Sequence, residues 1–127
     1  MIAADTSTWV AFLAGEPGDD TALLDQALHD RRVLMLPAVL AELLSNPDLP
    51  DDVSATLREL PLMEIESGFW ERAGRLRSTV IARGRKARLG DALIAQSCLD
   101  RKIPLLTRDR DFRAFVEAAG LDIATGA

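Results

Sequence analysis

Apolar residues alternate along this chain between short unbroken runs and longer stretches spaced three and four apart. The runs Ile2-Ala3-Ala4, Val33-Leu34-Met35-Leu36, Leu62-Met63-Glu64-Ile65 and Pro104 to Thr107 predict strands. They are continuous rather than alternating, which suits a parallel sheet covered on both faces. The spaced stretches predict helices. Trp9 to Ala14 follows the N-cap cluster Asp5-Thr6-Ser7-Thr8. Asp20 to Arg31 carries Ala22, Leu23, Ala27 and Leu28, and Pro37 to Ser45 carries Val39, Leu40, Leu43 and Leu44. Asp51 to Leu60 is a short helix, and Glu66 to Arg83 is the longest, with Phe69, Ala73, Leu76 and Val80 as its buried stripe. Another helix opens at Leu89-Gly90-Asp91, and a last one carries Phe112, Phe115, Val116 and Ala119 before Gly120 stops it. Leu121 to Ala124 reads as an edge strand.

Strands that alternate with helices define an α/β domain. The 127 residues form a single domain over 1–127, with no repeat or linker. In such folds ligands bind outside the carboxyl ends of the strands. Asp5 follows the first strand, and Asp109 and Asp111 follow the fourth. Glu42 and Asp91 lie early in helices, where right-handed crossovers bring them to the same edge. Asp91 also continues the apolar stripe of Ile94, Ala95 and Cys98, so it is expected to point inward.

Composition narrows the chemistry. One cysteine excludes an internal disulfide and a cysteine zinc site, and Cys98 reads as core. The single histidine, His29, sits in an acidic helix far in sequence from these acids, which argues against histidine chemistry. No apolar run approaches the ~20 residues of a membrane span. The start, MIAADTSTW, lacks the features of a signal peptide, so a cytoplasmic location is expected. Residues 1–66 carry thirteen acids and three bases, whereas 67–127 carry seven acids and twelve bases, ten of them arginine. A basic half permits contact with nucleic acid despite the net charge of −5.

Each acid alone has a plainer explanation. Asp5 suits an N-cap, Glu42 a solvated helix edge, Asp91 a cap after Gly90, and Asp109 and Asp111 turn positions. Their joint arrival at one sheet edge is what asks for a cation, because carboxylates brought together raise each other's pKa. A cluster of carboxylates without His or Cys suits a hard ion such as Mg²⁺, with Mn²⁺ as the alternative.

Asp5 within AADTSTW, Glu42 in AELL, Asp91 in LGDALIAQSC and the segment Thr107-Arg108-Asp109-Arg110-Asp111-Phe112 together resemble the PIN domain. More narrowly they resemble the VapC toxins of bacterial VapBC toxin–antitoxin pairs, over nearly the whole chain. The resemblance implies a three-layer α/β/α sandwich around a central four- to five-stranded parallel sheet. It implies an Mg²⁺-dependent endoribonuclease, in which metal-activated water attacks an RNA phosphodiester. Asp5, Glu42, Asp91 and Asp109 would form the acidic pocket, with Asp5 and Asp91 as the foremost metal ligands. Glu42 would complete the metal shell or position water, and Asp109 would be an outer or second-ion ligand. Ser7 and Thr107 would support the site through their hydroxyls. Either Asp109 or Asp111 could be the fourth acid; Asp109, two residues after Thr107, is favoured. The resemblance also implies a homodimer and a cognate VapB-like antitoxin over the acidic groove. The apolar residues of 9–14 and the helix 51–60 are the candidate contact surfaces.

Arg83, Arg85, Lys86 and Arg88 precede Asp91 and form a candidate RNA-binding rim, although arginines on an outer helix face are as often merely solvated. Trp9, Phe12, Phe69 and Trp70 read as core or subunit interface. Three other classes compete. A phospho-accepting receiver domain needs paired acids after strand one and a late lysine, and the only lysines here are Lys86 and Lys102. A catalytically inactive PIN-like binding module would have lost a pocket acid, and all four are present. A metal-dependent DNA nuclease uses the same residues, and only the family resemblance favours RNA over it.

Overall fold

The computed structural model describes residues 1–125. At its centre lie two parallel strands, β1 (Ala3–Ala4) and β2 (Leu105–Leu106), with Ala3 opposite Leu105 and Ala4 opposite Leu106. All four residues are buried. Single parallel bridges widen the sheet: Ile2 to Val33, Met35 to Leu62, and Leu105 to Ile123. The order across the sheet is therefore 62, 33–35, 2–4, 105–106, 123.

This is the expected parallel sheet, but its regular strands are shorter than the apolar runs. Leu36 is already the N-cap of the next helix, which leaves 33–35 room for one bridge on each side. The segment 62–65 lies at the edge with Leu62 and Ile65 exposed, and it is held by Met63 N–H donating to the Met35 carbonyl at 2.9 Å. The 121–124 segment joins through Ala124 N–H to the Leu105 carbonyl, also at 2.9 Å.

Among the described residues, seven helices cover the sheet in a three-layer α/β/α arrangement: α1 (Thr6–Leu13), α2 (Asp19–His29), α3 (Pro37–Leu44), α4 (Asp51–Glu59), α5 (Phe69–Ala82), α6 (Leu89–Arg101) and α7 (Arg113–Ala119). A 3₁₀ turn, Arg110–Phe112, leads into α7. α1 packs on α2 and α3, and α5 packs on α6 and α7. The stripe of Phe69, Ala73, Leu76 and Val80 is buried as the spacing predicts. In α2 the buried face is Thr21, Leu24 and Ala27, with Ala22 exposed and Leu23 and Leu28 only partly covered. α1 starts at Thr6 rather than Trp9, because Asp5 alone serves as the cap.

α6 is the most enclosed helix, with Ala92, Ile94, Ala95, Gln96, Ser97 and Cys98 all buried. Arg72 of α5 grips Asp100 near its end through Nε at 3.0 Å and Nη2 at 2.6 Å. This fixes the axis of α6, and so the position of its N-terminal turn. Burial pushes the Cys98 thiol up to about 12, which leaves it an inert core residue. Trp9 and Phe69 are core, whereas Trp70 is exposed.

Candidate metal centre

The register of β1 against β2 builds the site. The residue after each strand emerges at the same edge, so Asp5 and Thr107 face each other. The Thr107 hydroxyl donates to Asp5 Oδ2 at 2.6 Å. Asp5 is also the N-cap of α1, accepting from Thr8 N–H at 3.0 Å. The Ser7 hydroxyl lies 2.8 and 2.9 Å from its two carboxylate oxygens. Asp5 is buried. Burial raises its pKa, the bonds from Thr107, Thr8 and Ser7 pull it back, and the charge of Asp109 raises it further.

Thr107 passes the arrangement on. Its hydroxyl accepts from Asp109 N–H at 3.0 Å. Asp109 in turn caps the 3₁₀ turn, its Oδ1 accepting from Asp111 N–H at 2.9 Å. The apposed Asp91 lies in the first turn of α6, where the helix dipole favours a carboxylate. Carboxylate oxygens of Asp91, Asp109 and Asp111 all lie within 4.8 Å of one another. Asp91 is half-buried and its pKa is pushed up to about 6. Burial is the main cause and the charge of Asp109 the next; Arg88 opposes them, and Glu42 and Asp5 add to them.

Glu42 lies on α3, exposed, and accepts from the Thr6 hydroxyl at 2.9 Å. Its carboxylate also lies 3.7 Å from where a Cβ on Gly90 would stand, so it flanks the first turn of α6. The four acids expected at this edge are therefore all there, but they are not equivalent. Asp91, Asp109 and Asp111 make the tight group, while Asp5 and Glu42 stand beside it. Asp5 accepts from three donors, Thr8 N–H and the hydroxyls of Ser7 and Thr107, which leaves part of its acceptor capacity open.

The donor set fits a small hard cation. It is all carboxylate, and its oxygens lie within 4.8 Å of one another, a range that includes the ~4.2 Å between opposite oxygens around Mg²⁺. The nearest cationic partner of the group is Lys86, whose Nζ stands 3.6 Å from Asp111. Of the four basic residues expected to line a rim, Lys86 and Arg88 lie at the acids. Arg83 and Arg85 turn instead to α7, where Arg83 Nη1 reaches the Glu117 carbonyl at 3.1 Å and Arg85 pairs with the Glu117 carboxylate at 2.5 Å.

Thr107 joins the buried acid to the turn that carries the tight group, so its hydroxyl is expected to matter for stability as well as geometry. Thr107→Val leaves both Asp5 Oδ2 and Asp109 N–H short of a partner. The expected cost is about 1–3 kcal/mol of unfolding free energy in a denaturant titration, and Thr107→Ser should recover most of it.

Sheet order, strand-end acids and helix placement together define a PIN domain, and the PIN domain family model matches residues 2–118. The chain belongs to that family. It is 28% identical over 125 residues to Ribonuclease VapC5 of Mycobacterium tuberculosis (strain ATCC 25618 / H37Rv), covering 94% of this chain and 90% of that protein. Among solved structures it resembles VapBC2 from Rickettsia felis bound to a promoter DNA fragment, with a TM-score of 0.75, 20% identity and 98% of each chain covered. It also resembles VapBC-5 from Mycobacterium tuberculosis, with a TM-score of 0.64, 24% identity, and 98% of this chain and 97% of that one covered.

Proposed function

We propose that this chain is an Mg²⁺-dependent endoribonuclease and the toxin of a toxin–antitoxin pair. The observation that carries the reading is the trio of carboxylates within 4.8 Å, one of them with its pKa raised to about 6. Three acids held this close at the ligand-binding edge of a PIN domain cost stability unless they serve an ion. The likeness to Ribonuclease VapC5 supports RNA as the substrate.

Asp91, Asp109 and Asp111 would hold the ion, with Glu42 and Asp5 completing the acidic pocket. An Mg²⁺ held there would supply positive charge to the phosphodiester and would acidify a water molecule. The chain's own residues do the rest. Thr107 and Ser7 fix Asp5, and Asp5 through Thr107 fixes the backbone of Asp109. Glu42, exposed and held among the described residues at Oε1 by Thr6, presents Oε2 to orient water or a ribose hydroxyl. Lys86 and Arg88 supply positive potential on the approach of a phosphate chain.

An antitoxin partner is supported by the VapBC neighbours. The surface that suits it is the apolar groove between α1 and α4, lined by Trp9, Phe12, Leu13, Val53, Leu57 and Leu60. A homodimer would use the separate apolar face around Ile65 and the exposed Trp70. Among the described residues no helix is long and apolar enough to cross a membrane.

The test is incubation of antitoxin-free protein with matched RNA and DNA single strands, with Mg²⁺ and with EDTA. Cleavage of RNA alone, lost in EDTA, is the expected result. Cleavage of DNA would move the reading to a DNA nuclease. Cleavage of neither, by folded protein on a diverse pool, would favour a binding module.

A further inference from the structure

Arg108 stands between Thr107 and Asp109, yet its side chain turns away from the acids. Its guanidinium grips Asp20 at the start of α2 with both arms, Nε and Nη2 each 2.8 Å from a carboxylate oxygen. Nη1 reaches Glu16 at 3.1 Å, and Nη2 reaches the Pro17 carbonyl at 3.4 Å. Asp20 also accepts from the fully buried Thr8 hydroxyl at 2.9 Å. On its backbone side, Arg108 N–H points to the Ser7 hydroxyl at 3.4 Å. A Cβ on Gly18 would come 2.6 Å from Asp20 Oδ1 and 2.8 Å from Arg108 Nη2, so the glycine leaves the space this pair occupies.

We propose that the Arg108–Asp20 pair is a latch that positions the acidic turn, with Arg108 acting through Thr107 and Asp109 rather than on the RNA. A bidentate charged pair fixes both distance and angle. Here it joins the end of β2 to α2, an element that supplies none of the pocket acids. With the latch closed, Thr107 is held over Asp5, and Asp109 is held within reach of Asp91. With it open, the bonds at Asp109 N–H and Asp111 N–H break more often, and the turn loses its fixed place over Asp91. Neither Asp20 nor Gly18 belongs to the acid group, so each tests the latch without touching a ligand.

The full chain, free of metal, is compared as wild type, Asp20→Asn and Gly18→Ala. Asp20→Asn sets an amide N–H₂ against the guanidinium, while Gly18→Ala keeps both charges and crowds them apart. Amide hydrogen exchange at Asp109 and Asp111 is expected to rise about tenfold in both variants, with α5 amides unchanged. Mn²⁺ affinity, followed by the EPR signal of the free ion, is expected to fall about tenfold as well. Asp20→Glu should restore both. Unchanged exchange at the turn overturns the latch. Faster exchange with Mn²⁺ affinity intact also overturns it, by making the pair merely structural. Tighter RNA binding by Asp20→Asn, with metal affinity unchanged, makes Arg108 an RNA contact instead. The metal arm rests on the proposed function. If wild type itself binds no Mn²⁺, that function fails, and exchange alone decides whether the pair holds the turn.

Discussion

Asp91→Asn is expected to abolish RNA cleavage and, in metal-free protein at neutral pH, to make the fold more stable. Both effects have one cause. The Asp91 carboxyl is raised from an ordinary 3.8 to about 6, mainly by burial and by the charge of Asp109. Because the folded state holds the proton more tightly than the unfolded one, stability falls as pH rises from about 4 to about 6, and the loss persists above that. Two pH units correspond to about 2.7 kcal/mol, and half-exposure to solvent reduces this to about 1–2 kcal/mol. The uncharged amide escapes that penalty. Asp91→Asn should therefore unfold at higher denaturant than wild type at neutral pH, with the difference shrinking below pH ~4 as both become neutral. Cleavage should fall about 10²–10³-fold or more, as for removal of a group that organises transition-state charge. Saturating Mg²⁺ should stabilise wild type and leave the variant unmoved. A variant less stable than wild type at neutral pH would show that Asp91 is held by interactions that favour its charge, contrary to the crowding described above.

Asp5→Ala is expected to have the opposite effect on stability. Asp5 caps α1 and accepts the hydroxyls of Ser7 and Thr107 while buried. Truncation removes the cap bond to Thr8 N–H, worth about 1 kcal/mol, and leaves the Thr107 hydroxyl without its acceptor, at about 1–3 kcal/mol more. A loss of about 2–4 kcal/mol in a denaturant titration is therefore expected. Asp5→Asn preserves an acceptor for Thr8 N–H and the size of the side chain, so it should cost under about 1 kcal/mol while still weakening cleavage. Equal destabilisation by both variants would mean that the negative charge, rather than the cap and its hydroxyl partners, holds this corner.

The contrast between these two acids was only partly legible in the sequence. That Asp5 and Thr107 would meet follows from two parallel strands ending side by side, and apolar runs are enough to place those ends. That Asp91 points inward follows from its spacing to Ile94 and Cys98. The sequence put Asp5 foremost among metal ligands and left Asp111 in support. The fold holds Asp5 beside the group through Thr8, Ser7 and Thr107, and brings Asp111 within 4.8 Å of Asp91 and Asp109. That depends on the 3₁₀ turn after Asp109, which a local pattern of alternating Arg and Asp does not specify. The Arg108–Asp20 pair joins positions 88 residues apart and has no periodic signature at all. The sequence places the basic residues ahead of Asp91, but not the contacts of Arg83 and Arg85 with Glu117, a residue of α7 whose place depends on tertiary packing.

The central claim is that Asp91, Asp109 and Asp111 form one cation site. The most direct measurement is a calorimetric titration of Mg²⁺ into antitoxin-free wild type and into Asp91→Asn at neutral pH. Saturable binding to wild type, with proton release from Asp91 and no binding to the variant, is the predicted result. Identical heats from the two folded proteins would contradict it.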